Sequence, residues 1–275
     1  MTYESIIKDL KNKVYHPVYF LCGEEPYYID TISDYIEKNI LSESEKEFNQ
    51  SVLYGKDIDA STIVSYAKRF PMMSNHQVII IKEAQEVRNL VAKEKDDNTK
   101  SEFLAYLENP LPATILVLCY KYKEVDKRTK LSNILAQKAV LFDSKKIYDN
   151  KIPEWVNNYL LSKSYRINPR AAQLLTEYIG NDLSRIANEL DKLMMNVLQK
   201  EEITIKHIEE YIGISKDFNI FELQAALGKK NILKANQIVN YFASNPKNNP
   251  IVVAIGSLYS YFSKVLTYHS LSDKS

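Results

Sequence analysis

The chain has 275 residues, 45% of them apolar, and 36 Lys and Arg stand against 35 Asp and Glu for a net charge of +1. That length exceeds one ordinary domain of roughly 100–200 residues, so we expect two or three domains, and the apolar content excludes wholesale disorder. A chain this close to neutral is not a general polyanion binder; any nucleic-acid contact has to come from a local patch.

Residues 2–13 place Tyr3, Ile6, Ile7 and Leu10 at helical spacing, so an amphipathic helix is predicted to open the chain. Val18 to Cys22 is a continuous apolar strand, and the turn Gly23-Glu24-Glu25-Pro26 leads into a helix over residues 27–39, with Pro26 suited to its first turn. Residues 48–53 are a second strand candidate. A helix over 59–69 follows, with Asp59 as cap, then a strand over 78–81. Residues 83–100 read as a helix end running into a charged, solvated loop, and 101–108 as a short helix. The clearest buried strand is Thr114 to Cys119; a basic segment and helix over 126–138 and a last strand over 140–142 complete this part. Strands apolar on both faces, alternating with helices, predict a parallel sheet covered on both sides, with a site at the carboxyl ends of its strands. That would bring the Gly23 turn close to the segment from Cys119 to Arg128.

After a polar linker over 144–150 the strand runs stop. Helices are expected over 152–163, 168–179, 182–198 and 205–212, the last ended by Gly213, and after a linker at 216–218 three more over 220–227, 231–243 and 250–268. The last two are joined by the polar loop 245–250.

Cys22 and Cys119 each lie inside an apolar run and read as reduced core thiols; with four scattered histidines they make no zinc-ligand spacing. The N-terminus lacks a basic region followed by an apolar one, and no apolar run approaches the ~18 residues of a membrane span. The expected location is the cytoplasm.

Three stretches bear on chemistry. Pro71 ends the preceding helix, so Phe70-Pro71-Met72-Met73-Ser74 forms a tight helix-to-strand connection. Two thioethers on a surface turn suit a partner's pocket; the alternative folds one or both back onto the core. The Gly23 turn sits where a phosphate loop would sit, but that loop needs Gly-x-x-x-x-Gly-Lys-Ser/Thr. Here there is one Gly, no Lys, and a Glu pair that suits a helix N-terminus and repels phosphate. No Gly-x-Ser-x-Gly, His-Glu-x-x-His or Cys-x-x-Cys accompanies it. The densest basic stretch holds Lys121, Lys123, Lys127 and Arg128 around Tyr122: a candidate phosphate-backbone or subunit contact, or a solubilising loop.

Taken in order, these pieces resemble the delta-subunit family of the bacterial DNA polymerase III clamp loader. Residues 17–27 resemble its opening strand and Gly-Glu-Glu/Asp-Pro turn, and Phe70 to Ser74 followed by Gln77-Val78-Ile79-Ile80 its clamp-binding segment. Asp126-Lys127-Arg128 resembles a recurring Asp-x-Arg patch, and Gly180-Asn181-Asp182-Leu183 with Ile186, Glu189 and Leu190 its second-domain helix pair. The resemblance implies an α/β plus all-α fold: a degenerate AAA+-like domain lacking a P-loop (1–143), a small lid-like helical domain (144–215) and an apparently incomplete helical collar (216–275). It implies a non-catalytic subunit of the DNA polymerase III holoenzyme, without cofactor or metal, that binds and opens the sliding clamp during DNA replication. Its partners would be the clamp, the loader's ATPase subunits, delta-prime and primed DNA, with no membrane and a monomeric state in isolation. The family's wedge, commonly Leu-Phe or Phe-Phe, maps to Met72 and Met73, beside Phe70 and Pro71. Burying two Met side chains is worth about 3–6 kcal/mol before association costs. The alternatives are an AAA+-like ATPase or other phosphate-handling enzyme, the related delta-prime subunit, whose zinc cysteines and Ser-Arg-Cys motif are missing here, and a DNA-binding adaptor.

Overall fold

The computed structural model describes residues 1–90, 98–126, 128–212, 218–246 and 249–271. The charged loop expected from residue 93, Lys127, Gly213, most of the linker at 216–218 and part of the loop at 245–250 lie outside the described residues. The chain divides into two compact units, Met1–Lys146 and Ile147–Ser275.

The first unit is the parallel sheet its strand pattern requires. Helix α1 (Tyr3–Lys11) precedes β1 (Val18–Gly23), and α2 (Pro26–Asn39) and α3 (Glu43–Asn49) lead to β2 (Gln50–Tyr54). Helix α4 (Ala60–Ala67), β3 (Gln77–Lys82), α5 (Asn98–Glu108), β4 (Thr114–Lys121), α6 (Lys130–Lys138) and β5 (Val140–Ser144) follow. The strands run parallel in the order β2-β3-β4-β1-β5. Successive side chains on a strand alternate between faces. Val18, Phe20, Ile79, Ile81, Leu116 and Leu118 therefore form one core with Ile63, Val64, Phe103 and Leu135 from α4 to α6. Tyr19, Leu21, Val78, Ile80, Ile115 and Val117 form the other with Ile6, Leu10, Ile29, Ile32 and Ile36 from α1 and α2.

The strand expected from residue 48 is corrected: Phe48 and Asn49 end α3, and β2 begins at Gln50. Ser42 and Glu45 form a reciprocal capping box that starts this helix, and it outweighs the strand preference of a short aromatic and β-branched run. Helix α4 is shorter than expected. Asp59 caps it, accepting from the Thr62 amide at 2.9 Å, and it ends at Ala67, three residues before Phe70. Helix α6 is capped by Thr129. Ser144, expected in a linker, is the buried last residue of β5.

The second unit is helical: α7 (Ile152–Ser162), α8 (Pro169–Ile179), α9 (Leu183–Met194) and α10 (Ile205–Ile212). A short parallel pair, β6 (Arg166–Ile167) with β7 (Glu202–Ile203), was not foreseen; two residues are too few for a periodic signal. Helices α11 (Ile220–Gly228), α12 (Ile232–Ser244) and α13 (Ile251–Ser270) share a cluster of Ile220, Leu223, Ala226, Ala235 and Ile238, against which Ala254 and Leu258 of α13 pack. The expectation that nothing here could span a membrane is qualified by α13. That helix is long and apolar enough by length and composition, its serines and threonine diluting the run without adding charge. One such helix is weak evidence for a span.

Candidate functional site: an apolar tip at the amino end of the sheet

Helix α4 stops because its last carbonyls find partners elsewhere. The Thr114 hydroxyl donates to the Ala67 carbonyl at 2.9 Å, and the Gln77 carboxamide donates to the Arg69 carbonyl and, at 2.7 Å, to the Thr114 hydroxyl. Gln77 and Thr114 are the first residues of β3 and β4, so the chain leaving α4 is stapled to the amino edge of the sheet. The far side of the turn is held by α3. The Met72 amide donates to Asn49 Oδ1 at 2.6 Å, and Asn49 Nδ2 donates back to the Met72 carbonyl at 2.9 Å. Glu45 accepts from the Ser42 hydroxyl and amide at 2.7 and 2.9 Å, and these bonds hold its carboxyl below the ordinary range.

The backbone is fixed and the side chains are not covered. Phe70 is 75% exposed, Met72 62% and Met73 102%, with Pro71 half-buried between them. Met73 also has φ +53°, a left-handed conformation that long side chains rarely occupy. The structure therefore places the methionines outward, not folded onto the core. Phe48, missed because its stretch was read as a strand, is another large exposed apolar side chain on α3, at 65%.

The tip lies away from the carboxyl ends of the strands, where the Gly23 turn and the basic segment are expected to meet. It enters β3 at its first residue, at the end of the sheet opposite Gly23 and Lys121, which terminate β1 and β4. At that carboxyl end the Gly23 turn and the basic segment do meet: the Gly23 amide donates to the Lys123 carbonyl at 3.1 Å, and the Tyr122 amide donates to Gly23 at 2.8 Å. Gly23 has φ +122°, and a Cβ there would collide with the Ser144 carbonyl. The Glu25 amide donates to the Ser144 carbonyl at 3.1 Å, and the Tyr27 amide to the Glu25 side chain at 3.1 Å. The Gly23, Glu25 and Tyr27 amides of this turn are thus bonded within the chain. The lysines are engaged too. Lys121 Nζ lies 2.7 and 2.8 Å from the two Asp30 oxygens, and Lys82 Nζ contacts Ser33, Asp34 and Glu37 at 3.0, 3.2 and 3.4 Å.

Of the basic candidates, Lys121 is therefore paired and Lys123 is exposed. Arg128 is held by both carboxyl oxygens of Asp126 at 3.0 and 3.1 Å, which lowers the Asp126 pKa and raises that of Arg128. Cys22 and Cys119 are buried, and burial pushes both thiols up to about 11. Among the described residues no cluster of three or more His, Cys, Asp or Glu could hold a metal ion.

Residues 19–145, which include the tip and both strand-end turns, match the family described as DNA polymerase III, delta subunit. The likeness is to the DNA polymerase III delta subunit. The Bacillus subtilis (strain 168) DNA polymerase III subunit delta is 29% identical over 216 residues, 78% of this chain and 62% of that protein. This chain thus spans less than two thirds of the curated delta subunit it matches. The solved structure of the Bacillus subtilis DNA clamp loader delta protein YqeN has a TM-score of 0.71 at 25% identity, covering 89% of this chain and 72% of that one. The mixed α/β fold with a parallel sheet and added helices is thus the fold of a delta protein.

Proposed function

We propose that this chain is a non-catalytic, delta-type clamp-loader subunit that binds a sliding clamp and opens one subunit interface of its ring during DNA replication. The observation that supports this most is the Met72–Met73 pair: both exposed, Met73 in a left-handed conformation, on a turn stapled from both sides. A soluble fold gains nothing internally from such an arrangement, whereas a partner's apolar pocket does. Ring opening follows only if the tip binds the open interface more tightly than the closed one, since a ligand shifts an equilibrium by its differential affinity. A tip with little conformational freedom to lose on docking favours that discrimination.

The internally bonded Gly23 turn and the paired Lys82 and Lys121 support leaving nucleotide chemistry to partner ATPase subunits, with no cofactor in this chain. Tight ATP binding by the isolated chain would instead favour the phosphate-handling alternative. The same proposal includes the three-domain division, a cytoplasmic location, a monomer in isolation, and assembly with ATPase subunits, delta-prime and primed DNA. The separate apolar cluster of α11 to α13 supports the collar. Of the four basic candidates, exposed Lys123 and outward Arg128 are, among the described residues, the ones left for a DNA or subunit contact.

The test is binding to the same organism's clamp by surface plasmon resonance. Met72→Ala combined with Met73→Ala is expected to leave the unfolding midpoint unchanged and weaken binding at least a hundredfold, about 2.7 kcal/mol. Unchanged affinity would end the assignment.

A further inference from the structure

The exposed apolar surface at the amino end of the sheet does not stop at the tip. On the last turn of α3, Phe48 directly precedes Asn49. Asn49 is the residue that grips Met72, through two hydrogen bonds. Phe48 is therefore next in the chain to the residue that holds the tip, and it is 65% exposed. The helix is not a loose one: its first turn is closed by the Ser42–Glu45 capping box, and Asn49 Nδ2 also donates to the Glu45 carbonyl at 3.1 Å. Phe48, Phe70, Met72 and Met73 form a set of large exposed apolar side chains whose backbones are locked in one register.

We infer that Phe48 is a second anchor for the partner that receives Met72 and Met73, docking on the clamp subunit beside the pocket the methionines fill, with Asn49 as the positioning residue between them. This rests on the clamp-binding proposal above. The occupant is the same one because the Asn49 hydrogen bonds join the last turn of α3 to the backbone of the tip. The chemistry is complementary as well. A Met pair supplies adaptable apolar volume but no rigid ring, and aromatic side chains are the commonest strong anchors of protein interfaces.

Clamp affinity of the full chain separates the outcomes. Phe48→Ala is expected to weaken binding at least tenfold, with the unfolding midpoint unchanged because the ring is mostly outside the core. Hydrogen exchange on the unsubstituted chain gives a second readout, with protection of residues 45–49 expected on adding clamp. If Phe48→Ala binds like the unsubstituted chain while the Met72→Ala, Met73→Ala variant does not, or if α3 gains no protection, the second anchor is wrong and the clamp reading stands. If neither variant loses affinity, the clamp reading itself is wrong. If Phe48→Ala leaves clamp affinity intact but abolishes self-association in sedimentation, α3 serves a second copy of this chain and the inference is overturned.

Discussion

Met73 carries a conflict between folding and function. A non-glycine residue held left-handed costs roughly 1–2 kcal/mol, and this side chain recovers none of it by burial. Met73→Gly is therefore expected to raise stability by about 0.5–1 kcal/mol in urea unfolding, while weakening clamp binding at least tenfold. The two effects have opposite signs, so no general loosening of the fold can produce both. If the substitution destabilises the chain and leaves binding intact, Met73 is an ordinary turn residue. The neighbouring interactions explain why the strain persists: Met72 is fixed by Asn49 through two hydrogen bonds and Ser74 accepts from the His76 amide, which leaves the residue between them little room to relax.

At the scale of elements, α4 is what delivers the chain to the tip, and its first turn depends on one carboxylate. Asp59 accepts from the Thr62 amide and hydroxyl and the Ser61 hydroxyl, and these bonds lower its pKa to about 2. A folded pKa below the unfolded value of about 3.9 means that the contribution is complete above about pH 4 and is lost as pH falls toward 2. Asp59→Asn keeps an uncharged cap, so its stability curve is expected to be flatter than that of the unsubstituted chain between pH 4 and 2. Asp59→Ala should cost about 1 kcal/mol at neutral pH. Parallel curves for the Asn variant and the unsubstituted chain would show that the carboxylate is not the cap that matters. Helix α3 teaches the complementary lesson. The Ser42-x-x-Glu45 pattern in the sequence signals a helix start that carries Phe48, in competition with the short β-prone run from Phe48 to Leu53.

For the whole molecule, the feature still without a covering surface is α13. Ala254 and Leu258 pack inward, while Ile251, Val252, Ile255, Tyr259, Phe262 and Leu266 remain exposed at helical spacing. Under the collar proposal this stripe meets other loader subunits. Ile255→Ser with Tyr259→Ser is then expected to block loader reconstitution in size-exclusion chromatography while leaving clamp affinity unchanged. Normal reconstitution by this variant would remove α13 from the assembly surface.

What the sequence determined by itself is local in origin. Continuous apolar runs at Val18–Cys22 and Thr114–Cys119 fixed buried parallel strands, because only a doubly covered sheet satisfies both faces. Pro71 placed a turn between α4 and β3, and the missing Gly and Lys argued against a phosphate cradle. Tertiary structure alone decided which way the two methionines point. The bonds that settle it join Asn49 to Met72 across 23 residues of sequence and Gln77 to Thr114 across 37. Such contacts leave no periodic trace in the chain, because a single hydrogen-bonded pair is set by where two elements meet in space and not by the spacing within either one.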